Sequence, residues 1–389
     1  MRRQVKFDGR QRIFASTVIL IIGALGALGA RVSLAQNAAA QQPVMADDVF
    51  KNVQVLKGLT VSQFMETMGF ISASLGYNCS DCHQSENDWA AYAIDSPTKN
   101  TARRMIVMMN TLNANNFGGR RMVTCYTCHR GDQNPRVTPT IAGIYGAPNF
   151  AEPDDIVKDA PNAPPAAEIL DKYLQALGGA QRVAAIASLV AKGTYQGYSA
   201  EEGQKIPVDI YAKSPMQRSQ IAHTLNGDLA TTYDGNAAYS EVPGAPVPVL
   251  GLTGAELEGA KLDALLSFPA GIKTMLSDWK VGFPVEIAGS DADVVQGRLT
   301  PSSLAVKLYF DQKTGLLVRQ VRYTESPLGR NATQVDYSDY RAVNGVKMPF
   351  HIVTSWFDGR GDVQLSEIQA NAAIDAAKFR KPAPPTPPK

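Results

Sequence analysis

The chain contains four cysteines, and all four lie in two copies of one short pattern, Cys-x-x-Cys-His. The copies read CSDCH at residues 79–83 and CYTCH at residues 125–129. Residues three apart in a helical turn share one face, so both thiols of a copy can bond to neighbouring atoms of one flat group, with the histidine aimed at its centre. No cysteine remains for a structural bridge, so the two copies account for every thiol in the chain.

This arrangement is typical of covalent haem attachment, in which two thioether bonds hold the haem and the histidine binds iron. It predicts two covalently bound haem c groups. The attachment residues and proximal ligands are Cys79, Cys82 and His83 in the first copy, and Cys125, Cys128 and His129 in the second.

Three alternatives remain open for the cysteines. A zinc site would use cysteine pairs, but the 42 residues from 83 to 124 separate Cys82 from Cys125, beyond the usual ribbon spacing, and zinc explains neither adjacent histidine. A thioredoxin-type redox pair needs only one copy. Two short disulfides would be the simplest use of thiols in an exported chain.

The number of histidines limits the candidates for the sixth ligand of each iron. The only histidines outside the two copies are His223 and His351, more than ninety residues downstream, where hydrogen-bonded structural roles are expected. Methionine is the alternative, because a thioether is a soft ligand that raises the reduction potential of haem iron. At most two methionines can be ligands, and the rest fill the apolar core. The candidates on predicted helices are Met65, Met68, Met105, Met108 and Met109.

The N-terminus indicates export. A basic stretch, MRRQVKFDGRQR, precedes an apolar run at residues 13–30, which predicts a signal peptide or N-terminal anchor over residues 1–35. Ser33-Leu34-Ala35 fits a cleavage site. The remaining chain is therefore expected in the periplasm, either released or anchored to the inner membrane.

Helical patterns dominate the region of the two motifs. Residues 36–47 are polar and predict disorder. A helix is predicted from a capping box at Thr60 and Gln63 to Gly76, and a second from Ser96-Pro97 to about Asn113. Each helix precedes one motif, so residues 48–140 form a small helical domain with two haem sites.

The rest of the chain is rich in strand signals. Residues 141–164 are rich in proline, alanine and acids and predict a linker. Residues 165–380 contain short β-branched and aromatic runs separated by hairpin signals. Helices are predicted within EILDKYLQALGG and near 254–267, the latter with a capping box at Thr253 and Glu256. A proline-rich tail occupies 381–389. The predicted class is α+β and multidomain: a helical multihaem domain, then an antiparallel, half-barrel-like β domain with one or two helices.

Composition excludes several functions. A net charge of +2 predicts no nucleic-acid partner. No Ser-His-Asp set, phosphate loop or paired carboxylates stand out, so an electron carrier is expected rather than an enzyme. Arg103 and Arg104 are candidates for contacts with haem propionates, because a guanidinium suits a carboxylate; the alternative is a solvated helix face.

The stretches VQVLKGLTVSQFMETM, NCSDCH and TARRMIVMMNTLNANNFGGRRMVTCYTCHRG resemble the cytochrome c subunit of bacterial photosynthetic reaction centres over about residues 48–135. In that family a helix before each motif supplies the axial methionine. The resemblance therefore implies Met68 and Met105 as axial ligands of iron, with Met65, Met108 and Met109 as packing residues. The family carries four haems, whereas this chain can attach two.

The resemblance implies electron transfer, in single electrons, between a membrane-associated redox complex, photosynthetic or respiratory, and soluble carriers. The layout of the C-terminal region resembles periplasmic lipoprotein-carrier half-barrels. An alternative function is therefore a lipid or lipoprotein carrier, or a docking protein, with a haem-containing sensor or appendage domain.

Overall fold

The computed structural model describes residues 42–84, 88–146, 152–198, 200 and 203–383. Its α-helices are α1 (Ala46–Val49), α2 (Val61–Leu75), α3 (Pro97–Phe117), α4 (Cys125–His129), α5 (Ile141–Tyr145), α6 (Ala166–Ala176), α7 (Ala180–Ala184), α8 (Gly254–Leu266) and α9 (Ile272–Met275). Short 3-10 helices lie at Cys79–Asp81, Ala91–Ala93, Pro269–Gly271 and Ala376–Phe379.

The strands follow α7, with α8 and α9 inserted among them. They are β1 (Ser188–Gly197), β2 (Ile206–Lys213), β3 (Gln217–Thr224), β4 (Gly227–Tyr233), β5 (Ala238–Glu241), β6 (Val249–Leu252), β7 (Leu276–Val281), β8 (Val285–Ile287), β9 (Ser290–Leu299), β10 (Leu304–Asp311), β11 (Leu317–Glu325), β12 (Arg330–Val343), β13 (Val346–Trp356) and β14 (Gly359–Ala370).

The described strands form one antiparallel sheet. Their order is β6-β5-β4-β3-β2-β1-β14-β13-β12-β11-β10-β9-β7, and β8 pairs with β9. The first and last strands of the region, β1 and β14, pair in the middle, with Tyr195 opposite Val363. The predicted α+β class, with helices first and an antiparallel β-rich region after them, is confirmed.

The main core lies between one face of the sheet and helices α6 to α9. Leu170 on α6, Leu262 on α8 and Ile272 on α9 pack with Leu308 and Phe310 of β10, and all five are almost fully buried. The helices predicted within residues 168–179 and near 254–267 are present as α6 and α8. Helices α7 and α9 span five and four residues, too short for a periodic apolar pattern to reveal them.

The predicted capping box at Thr253 and Glu256 is wrong. Thr253 is the N-cap residue of α8 but makes no side-chain cap bond. Burial raises the pKa of the Glu256 carboxyl, and Ser62 on α2 and Arg322 on the sheet oppose this rise. The groups around this carboxyl therefore come from distant elements rather than from the start of its own helix.

The predicted linker, 141–164, does not run free of the sheet. It contains α5, and its later part crosses the sheet on the face opposite the main core. Lys307 is 1% exposed and its ammonium donates to the Glu152 carboxylate at 2.7 Å. Ile156 packs against Val294 and Tyr309. The amide of Ala160 donates to the Val281 carbonyl at 2.8 Å. Residues 152–160 therefore cover β9 to β11.

The helices that precede the two motifs lie where the sequence predicts them, and two boundaries of this region differ from the prediction. The capping box at Thr60 and Gln63 is present, and Gly76 ends α2 in the left-handed conformation. Helix α3 continues past Asn113 to Phe117, where Gly118 ends it. At the end of the segment predicted to be disordered, Met45 forms a β-bridge with Thr60 and the amide of Ala46 donates to the Leu59 carbonyl.

The predicted signal peptide or anchor at 1–35, residues 36–41 of the segment predicted to be disordered and residues 384–389 of the predicted tail lie outside the described residues. Within the described ranges, no helix has the length and apolar character needed to cross a membrane.

Candidate haem sites

The first motif lies on a 3-10 turn that follows α2. Asn78 and Asp81 form a reciprocal capping box around this turn. The amide of His83 donates to the Cys79 carbonyl at 2.9 Å, which places the histidine one turn beyond the first cysteine. Cys79 is exposed and Cys82 is half-buried.

The second motif is helix α4 itself. Thr124 and Thr127 form a capping box at its start, and Arg130 ends it in the left-handed conformation. Because this is a helical turn, Cys125 and Cys128 lie on one face, as the spacing predicts. Cys125 is half-buried and Cys128 is exposed.

Both motif histidines are anchored through the same ring nitrogen. Nδ1 of His83 lies 3.2 Å from the Tyr92 carbonyl oxygen, and Nδ1 of His129 lies 3.1 Å from the Asp132 carbonyl oxygen. Histidine ligands of metals usually donate one ring N–H to a carbonyl or carboxylate, which fixes the tautomer and leaves the other nitrogen for the metal. In both motifs that other nitrogen is Nε2.

The protonation state of the His83 imidazole also suits a metal ligand. Burial lowers the pKa of His83, and the charge of Lys99 lowers it further, so the imidazole is neutral, as a ligand must be. Burial raises the pKa of the Cys82 thiol and of the Cys125 thiol. A thiol–disulfide oxidoreductase needs a lowered thiol pKa, so these shifts count against that alternative.

The five candidate methionines lie in different environments. Met68 is half-buried against the cluster around Phe70. Met109 is 4% exposed in that cluster, as expected for a packing residue. Met105 is 39% exposed and Met108 is 48% exposed, and the roles expected for these two methionines stay predictions. Met65 lines the cavity of the sheet.

An exposed apolar surface lies along α3 and the segment that leads into α4. Large apolar side chains are rarely grouped on a soluble surface unless something covers them. The exposed members are Met105, Met108 and Leu112, which share one face of α3, with Met122 and Tyr126. A flat apolar macrocycle attached at α4 would cover such a surface, so these residues, the two thiols and the anchored imidazole fit a covalently held haem.

Arg103 and Arg104 lie near the start of α3. The guanidinium of Arg103 donates to Asp95 at 2.7 Å and to Asn100 at 2.8 Å. Its hydrogen bond is the main reason that the pKa of Asp95 is lowered. Arg104 donates to the Thr101 hydroxyl at 3.0 Å. Contact of either arginine with a haem propionate stays a prediction.

Two residues that hold the motifs in place had no predicted role. Asn113 is 6% exposed in α3. Its side-chain oxygen accepts from the amides of Met122 and Val123, and its side-chain nitrogen donates to the Val123 carbonyl at 2.8 Å. Ser96, the N-cap of α3, donates to the Cys82 carbonyl at 3.0 Å. An asparagine among the apolar positions of a helix was the available signal for the first.

The two motifs are held together where α2 ends. The amide of Gly131 donates to the Ser74 carbonyl at 2.9 Å. Gly76 has φ +66°, and a Cβ atom there would lie 2.5 Å from the Gly131 carbonyl oxygen. The residue that follows the second motif therefore fits against the turn that leads into the first.

We expect Gly76→Ala to destabilise the protein by about 3 kcal/mol, because alanine would meet both an unfavourable backbone conformation and the Gly131 carbonyl. Gly118→Ala is the matched control: Gly118 also has positive φ, but nothing lies within 4 Å of its Cβ position, so about 1 kcal/mol is expected. Denaturant unfolding of both variants measures the difference. Equal losses would contradict the close approach of the two motifs.

Helix α2 also joins the motif region to the sheet. The Thr324 hydroxyl donates to the Glu66 carboxylate at 2.7 Å, and the Asn331 side chain donates to the Glu66 carbonyl at 3.0 Å. Phe70 packs against Leu328, and a Cβ atom at Gly329 would overlap its ring. A second contact between the motif region and the sheet is the ion pair of Arg121 with Glu325. Burial, with the charge of Glu256, raises the pKa of Glu66 to about 7.

The raised pKa of Glu66 predicts that the stability of the protein depends on pH. The Glu66 carboxyl titrates near 4.5 when unfolded and near 7 when folded, so its contribution is fully present below pH 4.5 and is lost as the pH rises to 7 and above. The free energy of unfolding of the unmodified protein should fall by about 3 kcal/mol more than that of Glu66→Gln between pH 4.5 and 8. Glu367→Gln, on an exposed strand position, is the control. The free energy of unfolding of both variants is measured at pH 4.5 and pH 8. If Glu66→Gln keeps the pH dependence of the unmodified protein, Glu66 is not its cause.

The two remaining histidines are hydrogen-bonded in the sheet, as expected. His223 contacts Asp228 at 2.8 Å. His351 contacts Ser338 at 3.0 Å and Asp362 at 2.9 Å across neighbouring strands. In the described part of the chain, no three His, Cys, Asp or Glu side chains are grouped so as to hold a metal ion.

Comparison with known sequences finds similarity in the motif region. Residues 27–143 match the family described as photosynthetic reaction centre cytochrome C subunit. The photosynthetic reaction center cytochrome c subunit of Roseobacter denitrificans is 36% identical over 125 residues, covering 28% of this chain and 33% of that protein. The subunit of Thermochromatium tepidum is 39% identical over 95 residues, covering 23% of each. The resemblance predicted from the motifs is confirmed, and the chain spans about a third or less of these relatives.

Solved structures match the remaining region. A LolA superfamily protein from Nitrosomonas europaea has a TM-score of 0.39 and 14% identity, covering 56% of this chain and 99% of its own. A putative outer membrane lipoprotein-sorting protein domain from Vibrio parahaemolyticus has a TM-score of 0.38 and 9% identity, covering 55% and 97%.

Proposed function

We propose that this chain is an exported dihaem c-type cytochrome that passes single electrons to or from a membrane-associated redox complex. The observation that carries the proposal is the same construction in both motifs: two thiols on one helical turn and a histidine whose Nδ1 is held by a backbone carbonyl. The similarity of residues 27–143 to reaction-centre cytochrome subunits supports it.

The proposed sites use residues of each helix and the motif that follows it. One haem would be bonded to Cys79 and Cys82, with His83 and Met68 on iron. The other would be bonded to Cys125 and Cys128, with His129 and Met105 on iron. When bound, each haem supplies a one-electron couple. The polypeptide would fix the imidazole tautomers through Tyr92 and Asp132 and shield the irons from water. Residues 48–140 would form this unit.

The proposed partners are a membrane redox complex, photosynthetic or respiratory, and soluble electron carriers. The relatives are named as subunits of photosynthetic reaction centres, which supports the first of these. The proposed location is the periplasm, with residues 1–35 as a cleaved signal or an anchor to the inner membrane.

A potentiometric titration of the purified protein tests the proposed carrier role. The haem absorption should change in two one-electron steps, both at the raised potentials expected for histidine and methionine ligation. A single step, or potentials typical of irons without a thioether ligand, would contradict the proposal.

A second candidate function is a lipid or lipoprotein carrier with a haem-containing appendage. The observation in its favour is a cavity of about 1040 Å³ in the curved sheet. Lipid extracted from the purified full-length protein, identified by mass spectrometry at one molecule per chain, would favour this candidate. Protein free of bound lipid would count against it.

A further inference from the structure

The cavity lies against the concave face of the sheet and has a size suited to a ring with a chain attached. Its volume is about 1040 Å³, at the upper end of small-molecule sites in proteins. Strands β1 to β4 and β12 to β14 supply much of its wall, helix α2 contributes Val61, Met65 and Glu66, and residues of α6, α7 and α8 also line it. The site is therefore bounded by the sheet and by several helices, of which α2 belongs to the motif region.

The walls are mainly apolar and contain many aromatic side chains. Ala222 and Ala230, which line the cavity, are buried, so their small side chains leave room at the sheet surface. The aromatic residues that line the cavity include Tyr195, Tyr337, Trp356, Phe357 and Trp89. An apolar chain and a flat ring are the shapes that such walls accommodate.

The cavity wall also carries polar atoms that make no hydrogen bond. Among the described residues, Oε2 of Glu256, Nη1 of Arg322 and Oδ1 of Asn331 are buried and have no hydrogen-bond partner, although Nη1 of Arg322 lies 3.5 Å from the Asp263 carboxylate as an ion pair. All three residues line the cavity. Asn331 is 6% exposed, and its amide nitrogen is already used by the Glu66 carbonyl. Buried polar atoms are nearly always paired, so this trio indicates a polar ligand group.

The chemistry of the trio selects the kind of head group. Oδ1 of Asn331 and Oε2 of Glu256 are oxygen atoms that can accept a hydrogen bond, whereas Nη1 of Arg322 donates. An ionised phosphate or carboxylate head has no proton to donate to the amide oxygen, so it matches only Arg322. A neutral hydroxyl fits, because it can donate to Glu256 or Asn331 and accept from Arg322.

We propose that this cavity binds a hydroquinone that carries an apolar tail, with one phenolic hydroxyl among Glu256, Arg322 and Asn331 and the tail along the sheet. The aromatic walls favour a phenol over an aliphatic alcohol, and the acceptor atoms favour the hydroquinone over the quinone, which has no hydroxyl to donate. The ligand would lie against α2, which carries Met68. This site goes beyond the proposed function and does not depend on the number of haems.

Calorimetric titration of the full-length protein, as purified with its haems, tests the site with four probes of equal chain length. The probes are 2-decylhydroquinone, its dimethyl ether, decanol and a didecanoyl phosphatidic acid. We expect one hydroquinone per chain, bound about tenfold or more tighter than the ether or the alcohol, because only the hydroquinone combines a ring with a donor. Equal affinity for hydroquinone and ether, no binding of hydroquinone, or tighter binding of the phosphatidic acid would each overturn the proposal.

Variants locate the head group. Asn331→Leu should lower hydroquinone affinity about tenfold and leave affinity for the ether unchanged, since only the hydroxyl uses the amide oxygen. Asn236→Leu, on an exposed turn, should change neither affinity. An Asn331→Leu protein that still prefers the hydroquinone would overturn the placement; if that variant does not fold, the wild-type preference among the four probes still decides. A haem count other than two in the same preparation would contradict the proposed function and leave this test intact.

Discussion

Met105→Ala is expected to remove the weak near-infrared band of methionine-bound ferric haem from one of the two haems and to leave the other unchanged. The thioether stabilises ferrous iron, so the reduction potential of the altered haem should fall by on the order of 0.1 V, a fraction of the roughly 0.8 V over which axial ligands act. Absorption and magnetic circular dichroism spectra of the oxidised protein, with a potentiometric titration, measure both effects.

Met108→Ala is the matched control. Met108 lies three residues along α3 and is exposed to a similar degree, 48% against 39% for Met105. We expect the control to keep both near-infrared contributions and both potentials. Loss of the band in Met108→Ala, with the band retained in Met105→Ala, would contradict the choice of ligand.

Asn113→Ala is expected to lower the free energy of unfolding by about 3 kcal/mol, since it leaves two amides and one carbonyl of residues 122 and 123 without their partner. These residues lead directly into α4. The haem content should therefore fall from two per chain towards one as the second motif loses its position. Denaturant unfolding and the haem-to-protein ratio measure the two effects.

Asn116→Ala tests whether any asparagine on this helix would behave in the same way. Asn116 is exposed, and its side chain donates only to the Leu112 carbonyl at 3.1 Å, within its own helix. A change below about 0.5 kcal/mol and full haem content are expected. If the two variants lose the same stability, the bonds from Asn113 to residues 122 and 123 do not hold the second motif.

Local sequence signals predicted the parts of the site that depend on neighbouring residues. The capping residues Thr60 and Gln63, the Ser96-Pro97 start of α3 and the turns that carry both motifs follow from propensities within a few residues. The hydrogen bonds from both histidines to backbone carbonyls were not predicted, because Tyr92 and Asp132 contribute carbonyls, which any residue possesses.

Contacts between distant segments account for what the sequence did not reveal. Glu256 has the spacing of a capping residue, yet the groups that act on its carboxyl include Ser62 on α2 and Arg322 on the sheet. Residues 152–160 have no periodic apolar pattern, and their hold on the sheet depends on Lys307, 155 residues after Glu152. Neither pairing has a local signature, since each exists only after the chain has folded.

The haem-to-protein ratio decides whether both motifs carry a haem. A pyridine haemochrome spectrum of the purified protein, combined with quantitative amino-acid analysis, should give two haems per chain. Mass spectrometry should find one haem on the peptide with Cys79 and Cys82, and one on the peptide with Cys125 and Cys128. A ratio other than two, or cysteine peptides at their unmodified mass, would contradict the assignment of both motifs as haem sites.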